Sequence, residues 1–277
     1  MDEPWQVWAL KYAERNARSR ADSFEGDDHA SPHPMDYFLW VLRNDTGLIV
    51  VDTGYDAAEG ARRGRPVLRD PARALADAGI DAARVDRVIV THLHYDHAGT
   101  LDAFPAATFH VQAAEMAFAT GPCMCDPTVR APFTADHVCA LVRRVFAGRV
   151  VFHDGAGQVA PGVEVHGLGG HSAGLQCVRV RTARGWLVLA SDAAHYYENF
   201  LARRVFPIVH DRAAMAAGWD RIVALADGDP ARVIPGHDPL VRAVHPCLHR
   251  GADGTALHRL DLPPAPALGT EIDRLRH

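Results

Sequence analysis

Lysine is nearly missing from this chain: Lys11 stands alone among basic residues that are otherwise arginine. We read that as coding bias, because the charge balance is ordinary, with a formal net charge of −5 and a pI near 6.4. No basic run forms the electrostatic stripe that nucleic-acid binding needs, so no nucleic-acid partner is expected. No apolar stretch approaches the ~20 residues of a membrane helix, so no membrane partner is expected either. The start, MDEPWQVWALKYAERN, lacks the basic and then apolar segments of a secretion signal. Cys123, Cys125, Cys139, Cys177 and Cys247 are odd in number and irregularly spaced. That excludes a disulfide framework and points to a reducing, cytoplasmic setting. Fixed-period repeats and low-complexity tracts are also absent.

What is present is apolar content and histidine. The 277 residues are 48% hydrophobic, enough for one large domain or two closely joined halves. Trp5–Tyr12, Tyr37–Leu42 and Leu48–Val51 are rich in aromatic and β-branched residues and predict strands. Val85–Val90, Thr108–Val111, Val150–Phe152, Val163–His166, Cys177–Arg181, Trp186–Ala190 and Arg232–Ile234 predict further strands. Helices are expected over Pro71–Ala78, with Asp70 as N-cap and Gly79 closing it, and over Thr100–Phe104. Longer ones are expected over Ala135–Phe146 after Thr134, and over Arg212–Ala226 after Asp211. That order suggests two β-rich halves with helices outside. Gly121–Phe133, rich in Pro and Cys, reads as a lid or insertion, and Pro263–Pro266 as a turn-rich cover or a loose end.

The sharpest signal is Thr91-His92-Leu93-His94-Tyr95-Asp96-His97-Ala98-Gly99, directly after a strand. In an extended segment His92 and His94 point the same way, because side chains alternate. A turn then carries Asp96 and His97 to a second position. Imidazole and carboxylate suit divalent zinc, and also manganese, iron or cobalt. With this chain's own composition, roughly 0.006 chance occurrences of H-x-H-x-D-H are expected.

One cluster cannot complete two metal shells. His171 in Gly169-Gly170-His171-Ser172, Asp192 in Ala190-Ser191-Asp192-Ala193, and His237 in Pro235-Gly236-His237-Asp238 each follow a strand signal. Singly, each has a plainer reading: a solvated or capping histidine, or an aspartate N-cap. Their order behind the cluster favours a shared site.

The series His92, His94, Asp96, His97, His171, Asp192 and His237 resembles the metallo-β-lactamase superfamily. The resemblance runs from about Asp52 to His237, most of the chain. It implies an α+β fold, a four-layer αβ/βα sandwich of two mixed β-sheets with helices outside. It implies two divalent metals, zinc first among them. His92, His94 and His171 would hold one; Asp96, His97 and His237 the other; Asp192 would bridge. Asp52, in Val51-Asp52-Thr53-Gly54, would support the ligands. The chain would then be a single hydrolase domain over 1–277, with the lid or insertion at 121–133 and a C-terminal extension from about 247.

Within the superfamily the chain is most like the quorum-quenching N-acyl-homoserine lactonases, in His92–Gly99 and in Ser191-Asp192-Ala193-Ala194 followed by Glu198-Asn199-Phe200. Those lactonases usually carry Tyr three residues after the bridging Asp. Here His195 stands there, followed by Tyr196 and Tyr197. The resemblance implies a lactone or ester substrate opened by a hydroxide held between the metals. Asp96 would shuttle a proton, and His195, Tyr196 or Tyr197 would polarise the carbonyl. The rivals are a thioesterase of the glyoxalase II kind, another ester or β-lactam hydrolase, and an iron-dependent sulfur dioxygenase. A homodimer stays open.

The remaining features read plainly. Cys123-x-Cys125 is expected to pack the lid. Tyr196, Tyr197, Phe200 and Phe206 line an acyl pocket or belong to the core. His29, His33, His137, His153, His245, His249, His258 and His277 are taken as surface or structural, His110 as core, and His210 as a helix start or pocket wall.

Overall fold

The computed structural model describes residues 3–276, which leaves His277 outside the described residues. The first sheet is built from β1 (Gln6–Arg15), β2 (Met35–Asn44), β3 (Gly47–Val51), β4 (Arg87–Ile89), β5 (Thr108–Gln112) and β6 (Val150–His153). The second holds β7 (Ala156–Ala160), β8 (Val163–Gly167), β9 (Gln176–Thr182), β10 (Gly185–Ser191) and β11 (Val233–Pro235). β12 (Cys247–Arg250) and β13 (Ala256–Arg259) then return to the first sheet. The strand orders are β12-β13-β1-β2-β3-β4-β5-β6 and β11-β10-β9-β8-β7. Both sheets are mixed: β1, β2 and β3 run antiparallel, β3 to β6 parallel, and only β11 lies parallel to its neighbour in the second sheet.

Alternation along each strand divides the interior. Val7, Ala9, Phe38, Trp40 and Leu42 face the second sheet, where they meet Val163, Val178 and Leu189. Trp8, Leu10, Tyr37, Leu39 and Val41 face outward onto helical residues such as Leu75, Val138 and Leu141. Helix Arg212–Leu225 covers the far side of the second sheet through Met215, Trp219 and Ile222. The result is helix, sheet, sheet, helix. No helix is long and apolar enough to cross a membrane among the described residues.

The strand and helix predictions land within a few residues of these bounds, and three differences have local causes. Thr100–Phe104 is only a 3-10 turn over Leu101–Ala103, because Pro105 follows and keeps Phe104 out of helical backbone, at φ −117° and ψ 61°. Thr134 precedes helix Ala135–Phe146 without capping it, since its hydroxyl donates to Glu59 at 2.8 Å. β7, Ala-Gly-Gln-Val-Ala, has weak strand propensity and forms by pairing with β8. Residues beyond 247 extend the first sheet past β1, and helix Ala267–Arg276 buries Leu268 and Ile272. Ala265, in the Pro263–Pro266 turn, donates its N–H to the Val244 carbonyl at 2.7 Å.

Candidate metal centre

The carboxyl ends of β3, β4, β10 and β11 meet at one end of the sandwich. Each is followed at once by a polar residue of the site: Asp52 after β3, the histidine loop after β4, Asp192 after β10 and His237 just after β11. The loop between β8 and β9 adds His171. Two of these strand ends turn in the left-handed region without glycine, Asp52 at φ 60° and Ser191 at φ 47°. Such backbone is held only where surrounding bonds over-determine it. Here both are held through Thr91. Its amide and hydroxyl donate to Asp52 at 2.7 and 2.8 Å, and its hydroxyl lies 2.8 Å from that of Ser191. Gly170, at φ 87°, is required by contact: a Cβ there would lie 2.7 Å from the Met215 backbone.

The seven candidate ligands converge in two groups. His92, His94 and His171 lie together, as do Asp96, His97 and His237. Asp192 stands between them. Its Oδ2 is 3.3 Å from His171 Nε2 and 3.9 Å from His92 Nε2. Its Oδ1 is 3.3 Å from His97 Nε2 and 3.0 Å from His237 Nε2. Asp96 Oδ2 approaches His97 and His237 at 3.7 and 3.8 Å.

The rings are held from behind. His97 Nδ1 donates to Asp52 Oδ2 at 2.7 Å, His171 Nδ1 to the Ile208 carbonyl at 2.7 Å, and His237 Nδ1 to the Asp36 carbonyl at 2.8 Å. Each bond fixes a tautomer whose Nε2 lone pair faces inward. His94 is reversed, with Nδ1 facing His171 Nε2 at 2.9 Å.

This set fits divalent cations. His92 Nε2, His97 Nε2 and Asp192 Oδ1 are buried without a hydrogen-bond partner, and they point at one another. Buried polar atoms are rarely left so, and cations between them would satisfy all at once. Burial drives His92 and His94 toward the neutral form that a ligand needs. Burial also opposes charge on His97, but Asp192, Asp96 and Asp52 outweigh it and hold that pKa well above the ordinary value, so these carboxylates favour a positive charge at Nε2, a proton that a cation would displace.

The candidate carbonyl donors separate. His195 is in the cluster: its Nε2 donates to Asp192 Oδ2 at 3.0 Å and its ring stacks on Phe206 at 3.8 Å. Tyr196 points away, with its hydroxyl on the Pro34 carbonyl at 3.2 Å. Tyr197 is fully buried in the apolar core. Neither tyrosine lines the cavity over the metal residues, whereas Tyr37 and Tyr95 do.

Glu115, Tyr37 and Arg65 carried no sequence signal for the site, and Tyr95 only its place inside the histidine motif. Glu115 accepts from Leu93 N–H, Gly174 N–H and the Ser172 hydroxyl at 2.9, 2.9 and 2.7 Å. Arg65 donates to the Tyr95 hydroxyl, which lies 3.4 Å from that of Tyr37. Segment 121–133 borders the site: Pro132 accepts from Tyr95 N–H, and the Phe133 ring meets that of His94 at 4.6 Å. Cys123 and Cys125 are exposed there. His210 walls a neighbouring cavity against Phe118, and His110 is buried with Nδ1 3.0 Å from His153 Nε2.

Residues 36–237 match the metallo-β-lactamase superfamily, and the chain belongs to it. Membership and the His/Asp cluster define the class, a metal-dependent hydrolase. The chain is 28% identical to the N-acyl homoserine lactonase AttM of Azorhizobium caulinodans, over 77% of this chain and 84% of that one. It is 27% identical to a probable metallo-hydrolase of Mycobacterium tuberculosis, over 78% of this chain and 76% of that one. A solved quorum-quenching N-acyl homoserine lactone lactonase superposes with a TM-score of 0.71 at 20% identity, covering 87% of this chain and 95% of the other. A dizinc quorum-quenching lactonase in complex with a product superposes at 0.64 and 15% identity, covering 94% and 93%.

Proposed function

We propose that this enzyme binds two divalent metals, zinc first among them, and opens a lactone ring. The observation that carries this reading is Asp192, whose two oxygens face two separate groups of ligand side chains. His92, His94 and His171 hold one cation; Asp96, His97 and His237 hold the other. When bound, such a pair supplies a water nucleophile at neutral pH and Lewis acidity toward the carbonyl.

The protein's own groups do the rest. Asp96 lines the cavity and hands a proton to the leaving oxygen. His195 positions Asp192 instead of polarising the carbonyl. Burial pushes its pKa down to about 3, so the ring is neutral. Its one N–H is spent on Asp192, and its Nδ1 is buried. Tyr37 is the better donor to the developing oxyanion. Arg65 donates to Tyr95 and Tyr95 passes its hydrogen to Tyr37, which leaves the Tyr37 hydrogen free for substrate. A cavity of about 130 Å³ beside the ligands, walled by Phe118, Val129, Phe133 and Ile208, receives an acyl chain under segment 121–133, the lid.

Two lactonase relatives support the substrate class, since AttM proteins of two organisms match this chain. The test is proton release by metal-loaded protein offered N-acyl-homoserine lactones, a plain γ-lactone and a glutathione thioester, with metal-stripped protein as control. Metal-dependent acid release from a lactone is expected. Release from the thioester alone would replace the lactonase reading with a thioesterase. Silence from protein shown to carry two metals would defeat both. Tyr37→Phe should slow lactone turnover ~100-fold while keeping both metals.

A further inference from the structure

The cavity over the metal residues, about 140 Å³, has a second wall that a neutral lactone leaves unused. Arg15, Arg18 and Arg65 all line it. Arg15 closes β1, Arg18 lies in the turn after it, and Arg65 follows helix Ala57–Arg63, so only the fold brings the three together. None lies within ion-pair distance of a carboxylate among the described residues, whereas most other arginines here are paired with one.

Their hydrogen-bonding capacity is mostly unspent. A guanidinium carries about five N–H donors. Arg18 uses two, on the Ser23 hydroxyl and the Asp22 main-chain carbonyl at 2.9 and 2.6 Å. Arg65 uses one, on Tyr95. The Arg15 side chain uses none among the described residues, yet its charge reaches Tyr37 and Asp22. The acids of the same cavity are committed. Asp22 accepts from the Ser19 amide and hydroxyl, both at 2.8 Å, and Asp96 and Asp192 face the histidines. Arg15 and Arg18 feel the exposed Asp22 carboxylate and Arg65 feels Asp96, none within ion-pair distance, so the wall keeps free N–H donors that an incoming anion would take.

We infer that the substrate carries an anionic group, a carboxylate or phosphate, which Arg15 and Arg18 grip beside Arg65 while the scissile carbonyl faces the metals and an apolar arm fills the cavity toward Phe118 and Phe133. This rests on the hydrolase reading above and narrows its substrate to anionic lactones or esters. An N-acyl-homoserine lactone, which is neutral, puts its carbonyl at the metals and its acyl chain in the apolar arm and leaves the arginine wall unused.

The test compares a γ-lactone bearing a ring carboxylate with the matching carboxamide, on metal-loaded enzyme. The carboxylate should be favoured at least ~10-fold in kcat/KM, as one charge-assisted contact allows. Arg15→Ala should bring that ratio close to one, with Arg15→Gln as the variant that keeps side-chain length. A second readout does not depend on turnover: calorimetric binding of glutarate against butyrate. Both offer a carboxylate to the metals, and only glutarate also reaches the arginines. Wild type should favour glutarate ~10-fold, and Arg15→Ala should not. Equal turnover of both lactones, or equal binding of both acids, overturns the anion site. No turnover of any lactone, with the glutarate preference intact and lost in Arg15→Ala, would sink the lactonase reading and leave the anion site standing.

Discussion

The hydroxyl of Ser172 donates to the Glu115 carboxylate at 2.7 Å, a buried contact between residues 57 apart in the chain. The same carboxylate holds Leu93 N–H in the histidine loop and Gly174 N–H in the glycine-rich loop. One side chain therefore clamps the loop carrying His92 and His94 to the loop carrying His171.

Replacing Glu115 with Ala should leave those donors buried and unpaired. At about 1–3 kcal/mol for each unsatisfied group, the loss is ~3 kcal/mol or more, a Tm lower by about 10 °C. Glu115→Gln, which keeps one acceptor, should fall less. Calorimetry of metal-free protein checks both, and an unchanged Tm for the alanine variant would remove the clamp from the account.

Gly174 closes that clamp because nothing larger fits. A Cβ there would lie 2.0 Å from the Glu115 amide nitrogen and 2.5 Å from its Cα, at the start of helix Ala113–Ala119. Gly174→Ala should cost ~3 kcal/mol in urea unfolding, the upper range for overpacking, because backbone must move. A variant as stable as wild type would show that the two loops separate easily.

Asp52 fixes the His97 ring through Nδ1 at 2.7 Å. Asp52→Asn should lower affinity for the metal on the Asp96, His97 and His237 side by about 10- to 100-fold, the usual cost of losing such support. Competition with a chelator, read by elemental analysis, measures it. Wild-type affinity in the variant would mean that His97 is oriented by packing alone.

The pH dependence of stability has a source away from the site. His245 is buried with both ring nitrogens unpartnered, and burial pushes its pKa down to about 3. The unfolded chain protonates this residue first, near pH 6.5, so its contribution is intact above that pH and is lost as pH falls toward 3. The loss is about 1.4 kcal/mol per pH unit. His245→Leu removes the group, so its stability relative to wild type should improve by ~2 kcal/mol between pH 7 and pH 5. Urea unfolding of metal-free proteins reads this difference, and a constant gap across the range would clear His245.

The strands were legible because their residues alternate. Val7 and Ala9 lie on one face of β1 and Trp8 and Leu10 on the other, and both faces are buried, so the pattern reads as aromatic and β-branched throughout. β7, β12 and β13 were not legible. β7 gains its stability from pairing with β8, β13 from pairing with β1 and β12 from pairing with β13, which local propensity does not report.

At the site, the sequence by itself determined which candidate ligand types are present and that each follows a strand. The motif His92–His97 is local, and period-two alternation plus one turn suffices to gather it. The tertiary structure alone decided how the rest meets. Asp192 reaches both groups because β10 and β11 end together. His195 faces Asp192 while Tyr196 turns to Pro34, although the two are neighbours in the chain. Glu115, Tyr37, Arg15 and Arg65 have ordinary sequence surroundings, and their importance comes from which distant segment each one meets. Spacing along a chain carries short-range geometry, whereas contacts across the sandwich depend on how two sheets pack, and no local pattern encodes that.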